Sequence, residues 1–343
     1  MLERVSLKVA SLGGDCYVTF NSAENFYLTG FRSSFGISVV SEKGDSFFIT
    51  DGRYLERAEK EVRGFKVVKW ESWDKLREFL KENGFKRLVV DPDRLKLSTY
   101  KELSSVFEIV EEKGFLNEFR AVKTEREISL LTRAVQIAEL SLKSVLHLLK
   151  PGITEAEFRK ELITAFFKFG GEGEAFATIV ASGEGSSIPH WETSGREIED
   201  GDVVVVDFGT VYGGYVSDIT RTFLVGNVPS EMKRIYEVVR EAQEVGIKAL
   251  SAGKSCREVD EAVRSYIESK GYGEFFVHST GHGIGVEVHE SPTLSRRSNE
   301  ILKKNMVVTV EPGIYIPELG GVRIEDDCLV LEDGAFVISQ LEK

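Results

Sequence analysis

The chain has little glutamine, few cysteines, no long apolar run and no strongly basic stretch. Only Gln136, Gln243 and Gln340 occur in 343 residues, and scarcity of thermolabile amides hints at a hot habitat. Cys16, Cys256 and Cys328 are odd in number, widely spaced and without a CxxC pair. That excludes a disulfide framework and fits reduced thiols in a cytoplasmic protein. No segment approaches the ~18 apolar residues a membrane helix needs. The opening MLERVSLKVASLGGDCYVTF places charges at Glu3, Arg4 and Lys8 with no apolar h-region after them, so no signal peptide is expected. Lys plus Arg total 44 against 56 for Asp plus Glu, a net charge of −12. Such a chain has no electrostatic reason to hold nucleic acid or anionic lipid. Part of that acidity can serve hard cations, which need carboxylates.

With 42% hydrophobic and 29% charged residues, the composition is that of a folded protein, and 343 residues favour two domains. Residues 1–118 alternate short strands and helices. Val39-Val40 and Phe47-Phe48-Ile49 flank a Gly44-Asp45 turn and predict a hairpin. Helical patterns follow over 53–62 and 73–80, with strands at 65–68 and 86–90. The alternation predicts a small α/β domain, without a catalytic constellation and with a scaffold or interface role.

Residues 119–343 contain a duplication. Thr124 with Glu127 forms a capping box, and Ile128, Leu131, Val135, Ala138, Leu142, Val145 and Leu149 follow at helical spacing. A second box, Thr154 with Glu157, opens a helix that stops at Gly170-Gly171. Ser230 is the expected cap of a helix to about Leu250, and Ser255 with Glu258 caps another that closes at Gly271. The pairs Gly152/Gly253, Thr154/Ser255, Glu157/Glu258 and Gly170/Gly271 are all 101 positions apart. Beyond them His190 matches His289, Asp207 matches Glu311, and Asp218 matches Glu325. Each half thus supplies a helix pair, one histidine and two strands bearing one acid each, which predicts a pseudo-two-fold α+β domain with a shared site on the axis.

The acids carry the chemistry. Asp207 ends the apolar run Val203–Val206 and Glu311 ends Val307–Val310, both expected as buried strands. A carboxylate there needs a cation or several donors. Asp218 and Glu325 follow Gly-Gly turns on the return strands. Four converging carboxylates repel one another and raise one another's pKa, which divalent metal relieves. His282 lies in HSTGHGIGVEVHE, where glycines 281, 283 and 285 permit close backbone approach. One imidazole with four carboxylates favours Mn, Co, Fe or Zn over a thiolate site. Four acids exceed the needs of one ion, so two ions sharing bridging carboxylates are expected. Asp326 and Asp327 read as turn or surface acids and His147 as a structural residue on the Thr124 helix. Arg323 shares a strand face with Glu325 and would steady the carboxylates.

These stretches, VVVVDFGTVYGGYVSDITRT, HSTGHGIGVEVHE, VTVEPGIY and GGVRIEDD, closely resemble the metallopeptidase family of methionine aminopeptidase, aminopeptidase P and prolidase, which share the pita-bread fold. The resemblance covers 119–343, and residues 1–118 look like the N-terminal domain of the proline peptidases. It implies that Asp207 chelates one metal, that His282 and Glu311 bind the other, and that Asp218 and Glu325 bridge them. It also implies that a hydroxide between the ions attacks the scissile carbonyl while Glu311 handles the proton. His289 would stabilise the oxyanion, His190 would contact the substrate near the scissile amide, His278 would be a further pocket histidine, and Arg323 would order the site. The resemblance further implies Mn as the favoured metal, proline-containing peptides as substrates, and a homodimer.

One departure bears on specificity. Prolidases often place Arg directly after the HExP segment, where it can meet a dipeptide carboxylate. Here HESP is followed by Thr293, with Arg296 and Arg297 beyond. This tilts the expectation toward an Xaa-Pro aminopeptidase, with Xaa-Pro dipeptidase (prolidase) the alternative and a non-enzymatic pita-bread binding protein a remote one. A creatinase-like enzyme is disfavoured because its metal carboxylates would be missing, and here all are present.

Overall fold

A computed structural model describes all 343 residues and divides them into two compact units, Met1–Phe119 and Arg120–Lys343. The first contains α1 (Leu2–Ser11), β1 (Cys16–Thr19), α2 (Ser22–Thr29), β2 (Ile37–Ser41), β3 (Ser46–Thr50) and α3 (Leu55–Glu61). It continues with β4 (Lys66–Lys69), α4 (Trp73–Glu82), β5 (Arg87–Val90), α5 (Leu97–Ser104) and β6 (Glu108–Glu111). The strands form one sheet in the order β4-β3-β2-β1-β5-β6. Its centre is an antiparallel meander, β1 to β3, and its outer pairings are parallel.

Alternate residues of these strands face two separate cores. Cys16, Val18, Val39 and Leu88 pack with Leu76, Leu80 and Leu103 from α4 and α5. Tyr17, Val40 and Val89 pack with Val5 and Val9 from α1. The period of two of a strand therefore buries both faces. The expected hairpin is β2–β3, with Val39 opposite Phe47 and Gly44 at φ 95° in its turn. Helix α1 is an addition to the sequence pattern: Val5 and Val9, one helical turn apart, are its buried stripe, while Glu3 and Arg4 stay in solvent.

The short α6 (Asn117–Ala121) lies at the division of the chain. The second unit then repeats one plan twice. Helices α7 (Glu125–Val145) and α8 (Glu155–Lys168) precede β7 (Ile179–Ser182), β8 (Val203–Phe208), β9 (Val211–Tyr212), β10 (Tyr215–Val216) and β11 (Ile219–Leu224). Helices α9 (Ser230–Ala249) and α10 (Cys256–Ser269) precede β12 (Gly281–Gly283), β13 (Glu290–Leu294), β14 (Val307–Val310), β15 (Gly313–Ile316), β16 (Gly320–Arg323), β17 (Asp326–Leu331) and β18 (Gly334–Val337). The main sheets are β11-β8-β7 and β13-β12-β14-β17-β18.

Full capping boxes open α7, α8 and α10 at Thr124, Thr154 and Ser255. Two local expectations are corrected. Ser230 is the first residue of α9 rather than its cap, because Pro229 already adopts the N-cap conformation and offers no side-chain acceptor. Helix α7 stops at Val145 and tightens into a 3₁₀ turn, Leu146–Leu148, so His147 is exposed instead of packed among apolar neighbours. Val239, Val263, Ile267, Ile314 and Ile324 form one core beneath α9 and α10, and Val308, Val310, Cys328 and Val330 contribute to another. No helix is long and apolar enough to cross a membrane.

Candidate metal centre

Two antiparallel strand pairs bring the acids to one place. In β8–β11, Asp207 stands opposite Thr220, and Asp218 immediately precedes β11. In β14–β17, Val310 stands opposite Asp326, so Glu311 and Glu325 flank the same end. His282 arrives on β12, which pairs with β14 through Gly283 and Val308. A Cβ on Gly281 would collide with the Thr309 carbonyl, and one on Gly283 with the Ser291 carbonyl. Those two glycines are therefore the steric condition for bringing the imidazole in.

Ligand atoms of Asp218, His282 and Glu325 lie within 4.8 Å of one another. His282 Nε2 is 3.6 Å from Asp218 Oδ2 and 3.3 Å from Glu311 Oε1. Its Nδ1 is 3.1 Å from the Gly283 carbonyl, the partner that puts the proton on Nδ1 and turns the Nε2 lone pair toward the acids. Burial pushes the His282 pKa down, so the ring is neutral and able to ligate. Burial and then the neighbouring carboxylates push Asp218 and Glu325 well above the ordinary carboxylate range, and burial raises Glu311. Asp207 Oδ1 and Glu325 Oε1 are buried and accept no hydrogen bond from the protein. Orphaned carboxylate oxygens beside an imidazole lone pair are the donor set a divalent cation needs, and the residues fit one.

A second layer of side chains holds these acids in place. Arg323, 4% exposed, donates from Nη2 to Asp207 Oδ2 at 2.8 Å, from Nη1 to the Tyr315 hydroxyl at 2.8 Å, and from Nε to Thr220 Oγ1 at 3.1 Å. Thr220 in turn donates to Glu325 Oε2 at 2.6 Å. His278 Nδ1 lies 2.8 Å from the Ser279 carbonyl, and its Nε2 lies 2.9 Å from the Tyr315 hydroxyl. One chain of contacts therefore runs His278–Tyr315–Arg323–Asp207. Burial raises the Tyr315 pKa to about 12, which keeps its hydroxyl protonated as the link.

The His289 ring lies 4.3 Å from that of His282 and is exposed on its other side. Burial, and after it the neighbouring His282 ring, lowers its pKa. His190 is exposed after the 183–187 turn. Of the residues singled out as metal ligands, Asp218, His282 and Glu325 form the tight group, Glu311 joins it through His282, and Asp207, held by Arg323, is close enough to bear on the charge of Asp218 and Glu325. His190 is close enough to bear on the charge of His289.

Asp326 and Asp327 are a correction: they are 0% and 1% exposed, on the first residues of β17. Cross-strand pairing with β14 turns them inward, where Asp326 meets Arg221 and Asp327 accepts from the Asp218 amide. Tyr315 and Thr220 are site residues that the sequence pattern did not single out. Tyr315 falls four residues after Glu311 in EPGIY, but its reach to Arg323 depends on β15–β16 pairing.

Fold and site together define a metal-dependent hydrolase of duplicated α+β architecture. Residues 129–332 match metallopeptidase family M24, and residues 1–122 match the creatinase/prolidase N-terminal domain. An Xaa-Pro dipeptidase of Pyrococcus furiosus is 36% identical over 94% of this chain and 95% of that protein. Among solved structures, an Xaa-Pro dipeptidase from Bacillus anthracis is 41% identical with TM-score 0.96, covering 100% of this chain and 97% of that one. An X-Pro aminopeptidase from Thermotoga maritima is 36% identical with TM-score 0.93, covering 100% and 98%. The chain belongs to metallopeptidase family M24.

Proposed function

We propose that this protein is a dinuclear Xaa-Pro peptidase, acting as an aminopeptidase that hydrolyses the bond between an N-terminal residue and a following proline. The observation that carries the metal reading is the pair of buried, unpartnered oxygens on Asp207 and Glu325, together with the group of Asp218, His282 and Glu325 whose ligand atoms lie within 4.8 Å of one another. Asp207 would hold one ion, His282 and Glu311 the other, with Asp218 and Glu325 shared between them. Two such ions, with Mn favoured, would activate the attacking water and polarise the scissile carbonyl.

The chain's own residues do the rest. Glu311, raised in pKa by burial, moves the proton toward the leaving nitrogen. His289 sits at the open side of the cluster and stabilises the developing oxyanion. His190 holds the peptide near the scissile amide, and His278, linked to the Tyr315 hydroxyl, serves as a further pocket histidine. A homodimer with cytoplasmic location completes the reading.

The aminopeptidase preference is supported by Arg296. Its guanidinium is exposed and bound to Glu268 Oε1 at 2.7 Å, and Thr293 occupies the position after HESP. The relatives carry both activities in their names, so Xaa-Pro dipeptidase is the second reading. The test compares Xaa-Pro-Yaa with Xaa-Pro substrates in Mn and in Co, with Glu311→Ala as the blank. Faster turnover of the tripeptide is expected. A strong preference for the dipeptide would replace this reading with prolidase, and no cleavage of either would remove the proline specificity.

A further inference from the structure

We infer that Arg221 and the segment 339–343 form a strap that positions the two carboxylates assigned above as shared ligands, so that metal retention depends on residues far outside the ligand set. The inference rests on the metal-centre reading. Arg221 is 1% exposed and among the largest fully buried side chains. All five of its N–H groups are used. Nη1 donates to the carbonyls of Thr220 at 2.9 Å and Glu325 at 2.6 Å. Nη2 donates to Asp326 Oδ1 at 2.6 Å and to the Leu341 carbonyl at 2.7 Å, and Nε donates to the Glu342 carbonyl at 3.1 Å. One guanidinium thus ties the backbone of Glu325 to that of residues 341 and 342.

The remaining acceptors are closed from the same segment. Asp326 Oδ2 receives Lys343 Nζ at 2.9 Å and Gln243 Nε2 at 2.8 Å, and Lys343 also donates to Gln243 Oε1 at 2.5 Å. The amides of Gln340 and Leu341 both donate to Glu139 Oε1 on α7. Ser339 Oγ accepts from the Asp327 amide at 3.0 Å, and Asp327 Oδ2 accepts from the Asp218 amide at 3.1 Å. The segment therefore reaches Glu325 through Arg221 and Asp218 through Asp327. Its anchors, Glu139 and Gln243, come from one helix of each repeat.

The same segment also forms part of the wall of a cavity. Residues 340–343, with Arg221 and Thr222, line this open cavity of about 610 Å³. Removing the wall would expose Asp326 and leave a buried guanidinium without two of its acceptors, a strongly unfavourable arrangement. Shifts there pass directly to the backbone of Glu325 and Asp218. Partners one layer behind metal ligands typically set metal affinity or activity by 10–100-fold.

The experiment uses the full chain, a deletion of residues 340–343, and the pair Lys343→Ala and Lys343→Arg. Mn affinity is measured by calorimetry, folding by circular dichroism, and kcat and KM on an Xaa-Pro-Yaa peptide. The deletion is expected to weaken Mn binding and lower kcat on the order of 10–100-fold with KM little changed. Lys343→Ala is expected to fall between, and Lys343→Arg to stay near the parent. A folded deletion variant with parental Mn affinity and kcat would overturn the strap. If the deletion variant fails to fold, equal Mn affinity in Lys343→Ala and Lys343→Arg would overturn it instead. If the parent cleaves no Xaa-Pro peptide, the proposed activity fails while the Mn affinities still decide the strap.

Discussion

Tyr315 joins two residues, His278 and Arg323, that lie 45 positions apart in the sequence, and it is the clearest single atom group to test. Its hydroxyl accepts from Arg323 and faces His278 Nε2. Tyr315→Phe removes both contacts without removing a ligand. A lost bond to a charged donor is worth about 1.5–3 kcal/mol, so kcat is expected to fall on the order of tenfold or more while metal content, measured by elemental analysis, stays unchanged. A second residue-scale prediction concerns Glu290. Burial alone would raise its carboxyl, but Lys123 and Arg120 outweigh it and hold the carboxyl below the ordinary range. A depressed carboxyl stabilises the fold fully above its unfolded pKa and loses that contribution as pH falls through the folded value. Glu290→Gln should therefore lower the melting temperature at neutral pH, and the gap from the parent should narrow as pH drops below the ordinary carboxylate range. That four acids and His282 would converge was legible from residue type and repetition, because the four acids are two copies of one strand-acid device. Tyr315, Thr220, Arg221 and Asp326 were not, because their partners lie across strand pairings and their identities alone read as turn, strand or surface residues.

At the scale of elements, the capping boxes were the most legible features, since each is a local contact between residues three apart. Thr124 Oγ1 accepts from the Glu127 amide, and Glu127 Oε2 accepts from the Thr124 amide and hydroxyl. Glu127 Oε1 also accepts from the Tyr215 hydroxyl at 2.9 Å, so this box fastens α7 to β10. Thr124→Ala is expected to cost about 1 kcal/mol, read as a lower denaturant midpoint with an unchanged slope. Helix α1 was not legible because its buried stripe is only Val5 and Val9, too short a pattern among charges to stand out. The end of α7 escaped for the opposite reason: the apolar periodicity runs on through Leu149, whereas the backbone tightens after Val145.

At the scale of the whole molecule, the duplication explains why the centre needs both halves of the second unit. The β8–β11 pair gives Asp207 and Asp218, the β14–β17 pair gives Glu311 and Glu325, and His282 enters from β12 in the second half alone. Without a cation Asp218 and Glu325 sit buried with their carboxyls pushed well above the ordinary range by burial and by the neighbouring carboxylates, a strained electrostatic state that binding relieves. The central claim is that these five side chains form one site for a pair of ions. The most direct measurement is the metal content of Mn-reconstituted, dialysed protein, determined by elemental analysis beside Asp218→Ala. The account predicts about two ions per parent chain and loss of both in the variant, because Asp218 is shared. A parent that retains no metal, or a variant that retains as much as the parent, would contradict it.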